Sequence, residues 1–178
     1  TIAVGAVTDG GVRAPYSERG ANLVVVAPSS GGASDVLTTS FALGVDQDDN
    51  PIRIPEYDPG FTGTSASAAL VSGVVAPMLA ENPALTWRDV QDILIRTAVK
   101  VDPADVGWLT NGAGLEFNQN SGAGLVNAQA AVIAALAASF EMLVNSSYED
   151  LAMIARKFKG EIKYHTMHAN TWVKQLAQ

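Results

Sequence analysis

Apolar residues fall along the chain first in short unbroken runs and later at helical spacing. The opening Thr1-Ile2-Ala3-Val4-Gly5-Ala6-Val7 and the stretch from Ala21 to Pro28 are β-branched runs, bounded by Asp9-Gly10-Gly11 and by Pro28-Ser29-Ser30-Gly31-Gly32. Runs of this kind read as strands buried on both faces, which favours a parallel sheet inside an α/β domain. Between Val36 and Tyr57 the text changes to VLTTSFAL and IRIPEY around Asp48-Asp49-Asn50-Pro51, a turn cluster that predicts a surface β-hairpin.

From Ser65 to Leu79 small and apolar residues dominate (Ala68, Ala69, Leu70, Val71, Gly73, Val74, Val75), and a helix so poor in charge is expected to be buried among neighbours. Pro77 lacks a backbone donor, so that helix is expected to bend or end early, and Asn82-Pro83 closes the segment. Thr86 followed by Asp89 predicts a capping box for a second helix whose inner face carries Val90, Ile93, Leu94 and Thr97. Residues 102–124 show no period and predict an extended surface loop, after which Asn127 caps a third, Ala-rich helix to about Ala138. Further on, Ser147 with Asp150 offers an N-cap for a helix that Gly160 can stop, and 161–165 reads as a short strand before a last helical stretch.

Composition narrows the classes. At 178 residues, 48% hydrophobic and 16% charged, the chain is one compact domain's worth of sequence. Eighteen acidic against eleven basic residues give a formal charge of −7, which repels phosphate backbones and argues against nucleic acid as a partner. There is no cysteine, hence no disulfide, no thiolate zinc site and no cysteine nucleophile. The longest apolar run, Ala130 to Ala138, is far short of the about 18 residues a bilayer requires, and Pro77 interrupts the other candidate, so no membrane span is expected. The first residues are already strand-like, so a leader peptide is expected to be absent or removed. Past Ser139 the composition shifts from Gly and Ala to Lys, Tyr, Met and Glu, which marks a boundary between 1–139 and a divergent segment, 140–178, to which the sequence assigns no role.

The segment with chemical promise is Gly63-Thr64-Ser65-Ala66-Ser67-Ala68, a small-residue turn that delivers a hydroxyl to the first turn of a helix. Helix N-termini present unpaired N–H groups and a partial positive charge, so a serine there sits where its own amide can stabilise a developing oxyanion. The same residues also suit a plain helix cap, and both readings stay open on composition alone.

The stretch from Phe61 to Ala98, FTGTSASAALVSGVVAPMLAENPALTWRDVQDILIRTA, resembles the nucleophile segment of subtilisin-like serine proteases, specifically the kexin and furin branch with its GTSASA run before LTWRDVQ. The resemblance continues upstream in TIAVGAVTD, APYSERGANLVVVAPSSGG and LTTS, and downstream in GAGLVNAQAAV. It implies the C-terminal part of a three-layer, parallel-sheet α/β peptidase fold over 1–139. Ser65 would be the nucleophile that attacks a peptide carbonyl through an acyl-serine intermediate, with its amide in the oxyanion hole. The family has proline where this chain has Ala69, and a non-proline residue where it has Pro77. Its catalytic aspartate, histidine and oxyanion asparagine precede the position of Thr1, so an N-terminal protease segment is the implied partner and a polypeptide the implied substrate. His165 and His168 lie in the divergent tail without the family's context. Because a serine hydroxyl without a base is a slight nucleophile, the chain alone is expected to be inactive. Glu18 matches a carboxylate that the branch uses for a structural calcium, an incomplete site here because calcium takes six to eight oxygens. The Asp46, Asp48 and Asp49 cluster is explained by its turn and is assigned no metal. Family members act mostly outside the cytosol. The competing reading is a catalytically inactive, protease-derived binding or scaffold module working through the tail from Phe140 onward.

Overall fold

The computed structural model describes residues 1–40, 44–48, 50–52, 57–144, 147, 149–150 and 152–158. Strands β1 (Ala3–Val7) and β2 (Leu23–Pro28) run side by side in parallel, with Val4 opposite Val25 and Ala6 opposite Ala27. These are the two runs predicted as buried strands, and the first five residues of β2 are all enclosed. Helix α1 (Thr64–Glu81) packs on both strands, helix α2 (Trp87–Thr97) on β2, and helix α3 (Ala128–Val144) on α1 and α2. Their shared core includes Val25, Ala27, Val74, Met78, Leu94 and Ala131. A parallel strand pair covered by helices is the α/β arrangement expected from the sequence.

The two edges of this pair differ. Beyond β2 the segment 123–126 takes the place of a strand: the Val26 N–H donates to the Gly124 carbonyl and the Val126 N–H to the Val26 carbonyl, each at 2.9 Å. Gly124 sits at φ +125, and a Cβ there would collide with the Val99 carbonyl, so glycine is what lets the chain pass between β2 and the end of α2. On the far side of β1, Ala6 is satisfied by the Ala14 N–H (2.9 Å) and by Ser17 Oγ (2.9 Å). From Ala3 to Gly5 that edge pairs with no strand among the described residues.

The predicted hairpin is present as β3 (Val36–Thr39) antiparallel to β6 (Tyr57–Phe61), with β4 (Gly44–Val45) and β5 (Pro51–Ile52) paired nearer its tip. Asp46 makes the turn, its Oδ1 accepting from the Asp48 and Asn50 N–H groups at 2.9 Å. Residues 41–43, 49 and 53–56 of this excursion lie outside the described residues.

Three expectations for the helices need correction. Helix α1 was expected to be buried, yet only Ala66, Ser67, Val71, Val74 and Met78 are enclosed, while Ala68, Ala69, Leu70 and Leu79 face outward. Nor does Pro77 end it early: Pro77 and Gly73, the residue four before it, are both exposed, so water can satisfy the freed carbonyl. The next turn is held by the fully buried Met78, whose carbonyl accepts from the Asn82 N–H at 3.0 Å. By length and composition Thr64–Glu81 would suffice to cross a membrane, but here one side of it packs on β1, β2 and α3. Helix α3 begins as expected, with Asn127 Oδ1 accepting from the Ala130 N–H (3.0 Å), but continues past Ala138 to Val144, since no glycine or proline follows there to stop it.

Helix α2 carries the predicted capping box between Thr86 and Asp89. The stretch 102–124 is more built than an open loop, containing β7 (Leu109–Thr110) paired with β8 (Glu116–Phe117) and a buried Asn118. In the tail, residues 149–150 and 152–158 are helical, Ala152 and Ala155 are buried, and Phe158 stacks on Phe140 with centroids 5.8 Å apart. Gly160, the predicted strand at 161–165, His165, His168 and the last predicted helical stretch lie outside the described residues.

Candidate active site

Ser65 is the second residue of α1 and is exposed. The chain reaches it through Gly63, which adopts φ 87 and ψ 173, a backbone region closed to side-chain-bearing residues, and so turns sharply from β6 into the helix. Gly63 has no side chain to cap the helix, and the first turn holds no acidic residue. The positive end of the α1 dipole therefore opens beside the Ser65 hydroxyl, without a carboxylate of its own to neutralise it.

The turn is braced from outside by hydroxyl groups. Ser67 Oγ, fully buried, donates to the Ala27 carbonyl at 2.9 Å and approaches the Pro28 carbonyl at 3.2 Å, which sets the helix on the end of β2. Ser29 Oγ donates to the Gly63 carbonyl at 2.8 Å, and Ser30 Oγ bonds to Thr62 Oγ1. The Tyr16 phenol lies over this pair, 2.7 Å from the Ser30 carbonyl oxygen and 2.9 Å from Ser29 Oγ. Partial burial raises the phenol's pKa, but the hydroxyls of Ser29, Ser30 and Thr62 and the Gly63 backbone together hold it below the ordinary tyrosine value. Sequence reasoning singled out Ser65 and missed Tyr16, Ser29, Ser30 and Ser67. Their spacing along the chain carries no period, and only the folded backbone brings them to one point.

Glu18 is exposed and lines a hollow of about 270 Å³ together with Gly5, Tyr16, Ser17, Arg19 and Thr64. Among the described residues it is the only carboxylate lining that hollow, Arg19 stands next to it, and no group of three or more acidic, His or Cys side chains among them could hold a metal. These residues do not by themselves fit calcium, which takes six to eight oxygens. The Asp46 carboxylate is spent on its own turn, and those backbone bonds, from Asn50 first and then Asp48, hold its pKa below the usual range. Neither histidine is among the described residues, so none of those places an imidazole near Ser65.

Comparison with known proteins agrees with this geometry in outline. A family model described as the subtilase family, Peptidase S8, matches residues 1–124. A second, described as phenylacetic acid catabolic protein, matches residues 108–178, a minority of the chain that overlaps the first match and takes in the divergent tail. The chain is 36% identical over 140 residues to a PC3-like endoprotease of Hydra vulgaris, covering 76% of this chain and 18% of that protein. It is 37% identical over 137 residues to mouse proprotein convertase subtilisin/kexin type 7, covering 76% and 17%. Among solved structures, the Aeromonas sobria serine protease in complex with its chaperone superposes with a TM-score of 0.62 at 25% identity, over 76% of this chain and 29% of that one. Fervidolysin of Fervidobacterium pennivorans, a keratinolytic enzyme related to subtilisin, gives 0.53 at 27% identity, over 74% and 19%. The chain thus spans less than a fifth of these curated relatives, and within that span, with its parallel strands and its serine at the mouth of α1, it belongs to the subtilase family of subtilisin-like serine proteases.

Proposed function

We propose that Ser65 is the nucleophile of a serine endopeptidase, and that the chain acts when a second polypeptide segment brings an aspartate, a histidine and an oxyanion asparagine. The observation that carries this reading is the exposed Ser65 hydroxyl in the first turn of a helix whose N-terminus no side chain caps. In the reaction, Ser65 Oγ bonds to the scissile carbonyl carbon as its proton passes to the imidazole. The C–N bond then breaks, the imidazole protonates the leaving amine, and water releases the acyl group. The Ser65 amide at the positive end of α1 faces the oxygen on which negative charge develops.

The need for a second segment rests on surface as well as chemistry. Among the described residues the β1 edge from Ala3 to Gly5 pairs with no strand. Next to it an apolar groove of about 490 Å³ runs between Ile2 and Val4 on one side and Ala68, Val75 and Leu79 on the other. A strand and an apolar helix face from the completing segment would cover both. Family resemblance supports a reading in which the completed enzyme works on polypeptides outside the cytosol.

The test is a fluorophosphonate probe. Mixed with a subtilase N-terminal segment carrying the missing groups, the chain is expected to be labelled at Ser65, and the Ser65→Ala variant is expected to stay unlabelled. Absence of label in a mixture shown to associate would instead favour the inactive binding module.

A further inference from the structure

We infer that Tyr16 is a positioning residue for Ser65, acting through the Ser29 hydroxyl on the Gly63 carbonyl; the inference rests on Ser65 being the working nucleophile. The turn that presents Ser65 has little to hold it from within. Gly63 has no side chain, its backbone lies in a region only glycine tolerates, and the helix it opens is uncapped. What fixes the approach to α1 is the row of bonds reaching in from the loop after β2. Ser29 Oγ donates to the Gly63 carbonyl at 2.8 Å, and Ser30 Oγ bonds to Thr62 Oγ1.

Those two serines are themselves oriented by one group. The Tyr16 phenol sits 2.9 Å from Ser29 Oγ, 2.7 Å from the Ser30 carbonyl and 3.0 Å from Ser30 Oγ. Tyr16 is 40% exposed, so burial alone does not account for a tyrosine here; the oxygen, engaged three times, does. The loop carrying Tyr16 is in turn anchored to the sheet by its neighbour. Buried Ser17 Oγ accepts from the Ala6 N–H at 2.9 Å, and Arg13 donates from Nη1 to the Ser17 carbonyl. A continuous path therefore runs from β1 through Ser17 and Tyr16 to Ser29, Gly63 and the first turn of α1. Removing the phenol oxygen frees Ser29 to rotate away from Gly63, and the amides of that first turn lose their fixed aim at the position-65 side chain.

The chain has no cysteine, so Ser65→Cys introduces a single thiol that reports on this aim without any catalytic base. At an aligned helix N-terminus that thiol is expected to titrate at about 7.5 or below, read as thiolate absorbance, and to react readily with iodoacetamide at neutral pH. Adding Tyr16→Phe is expected to raise the thiol pKa toward the ordinary cysteine value and to slow alkylation roughly threefold to tenfold, with unchanged far-ultraviolet circular dichroism. Ser29→Ala is expected to do the same, and combining it with Tyr16→Phe is expected to add little. Tyr57→Phe, far along the hairpin, is expected to change neither reading. A change in stability alone would move the melting temperature but not the titration of the folded protein. Folded Tyr16→Phe and Ser29→Ala variants whose thiol titrates and reacts like the parent would overturn the inference, and Ser29→Ala decides should Tyr16→Phe fail to fold. If the thiol shifts but wild-type Ser65 takes no fluorophosphonate in the completed mixture, the positioning path stands and the nucleophile reading falls. The reverse pattern removes only the role of Tyr16.

Discussion

Ser67 and Ser65 are two residues apart in the same small-residue run and have opposite fates. Ser67 is sealed and holds the end of β2, whereas Ser65 points into the open. A 100° step per residue puts them on different sides of α1, so the helix that buries one exposes the other. The resemblance singled out position 65, while the part played by Ser67 became visible only when Ala27, 40 residues upstream, came alongside. A second residue-scale feature was legible from local sequence alone, because a capping box needs nothing beyond four consecutive residues. In it the Thr86 hydroxyl first, and then its backbone N–H, hold the Asp89 carboxyl below the usual carboxylate range. A carboxyl whose folded pKa is depressed contributes stability above its unfolded pKa of about 4 and loses it as pH falls through the folded value. Melting curves from pH 6 down to pH 2 are therefore expected to fall less steeply below about pH 4 for Asp89→Asn than for the parent. Identical slopes would show that the box carries no linkage.

Among the elements, α1 departs furthest from its sequence expectation. Its composition describes a helix with neighbours all round, and the described residues cover only the side turned to β1, β2 and α3. Pro77 sits on the uncovered side, where the lost bond to Gly73 costs less than it would in a packed interior. Restoring that bond with Pro77→Ala is expected to raise the stability of the chain by about 1–3 kcal/mol, read as a higher denaturant midpoint. A lower midpoint would mean that the proline ring makes contacts that favour the fold. Helix α3 shows the converse case: its start was legible because Asn127 caps it locally, and its end was not, because no glycine or proline follows and the next helical residues pack back on it through Phe140 and Phe158.

For the molecule as a whole, the decisive feature is an apolar surface that nothing among the described residues covers. Leu79, 39% exposed on α1, lines the apolar groove beside Ile2 and Val4 at the β1 edge, which pairs with no strand among the described residues from Ala3 to Gly5. Apolar groove and unpaired strand edge together favour association, and the net charge of −7 opposes it only at long range. Sedimentation velocity of the isolated chain is expected to show concentration-dependent self-association that Leu79→Glu reduces. The melting temperature should hardly change, because the side chain already stands partly in water. A parent chain that stays monomeric at high concentration would remove the surface argument for a completing segment.

Local sequence was enough to place the two buried strands, the hairpin turn, the capped second helix and the family, since each depends on residues close together and on a motif whose chemistry is short-range. Tertiary structure alone decided how Ser65 is held and how much of α1 is covered. The groups that brace the serine come from the loops at Tyr16, Ser29 and Thr62, and burial belongs to whatever packs against a surface, which no helix can specify from its own residues.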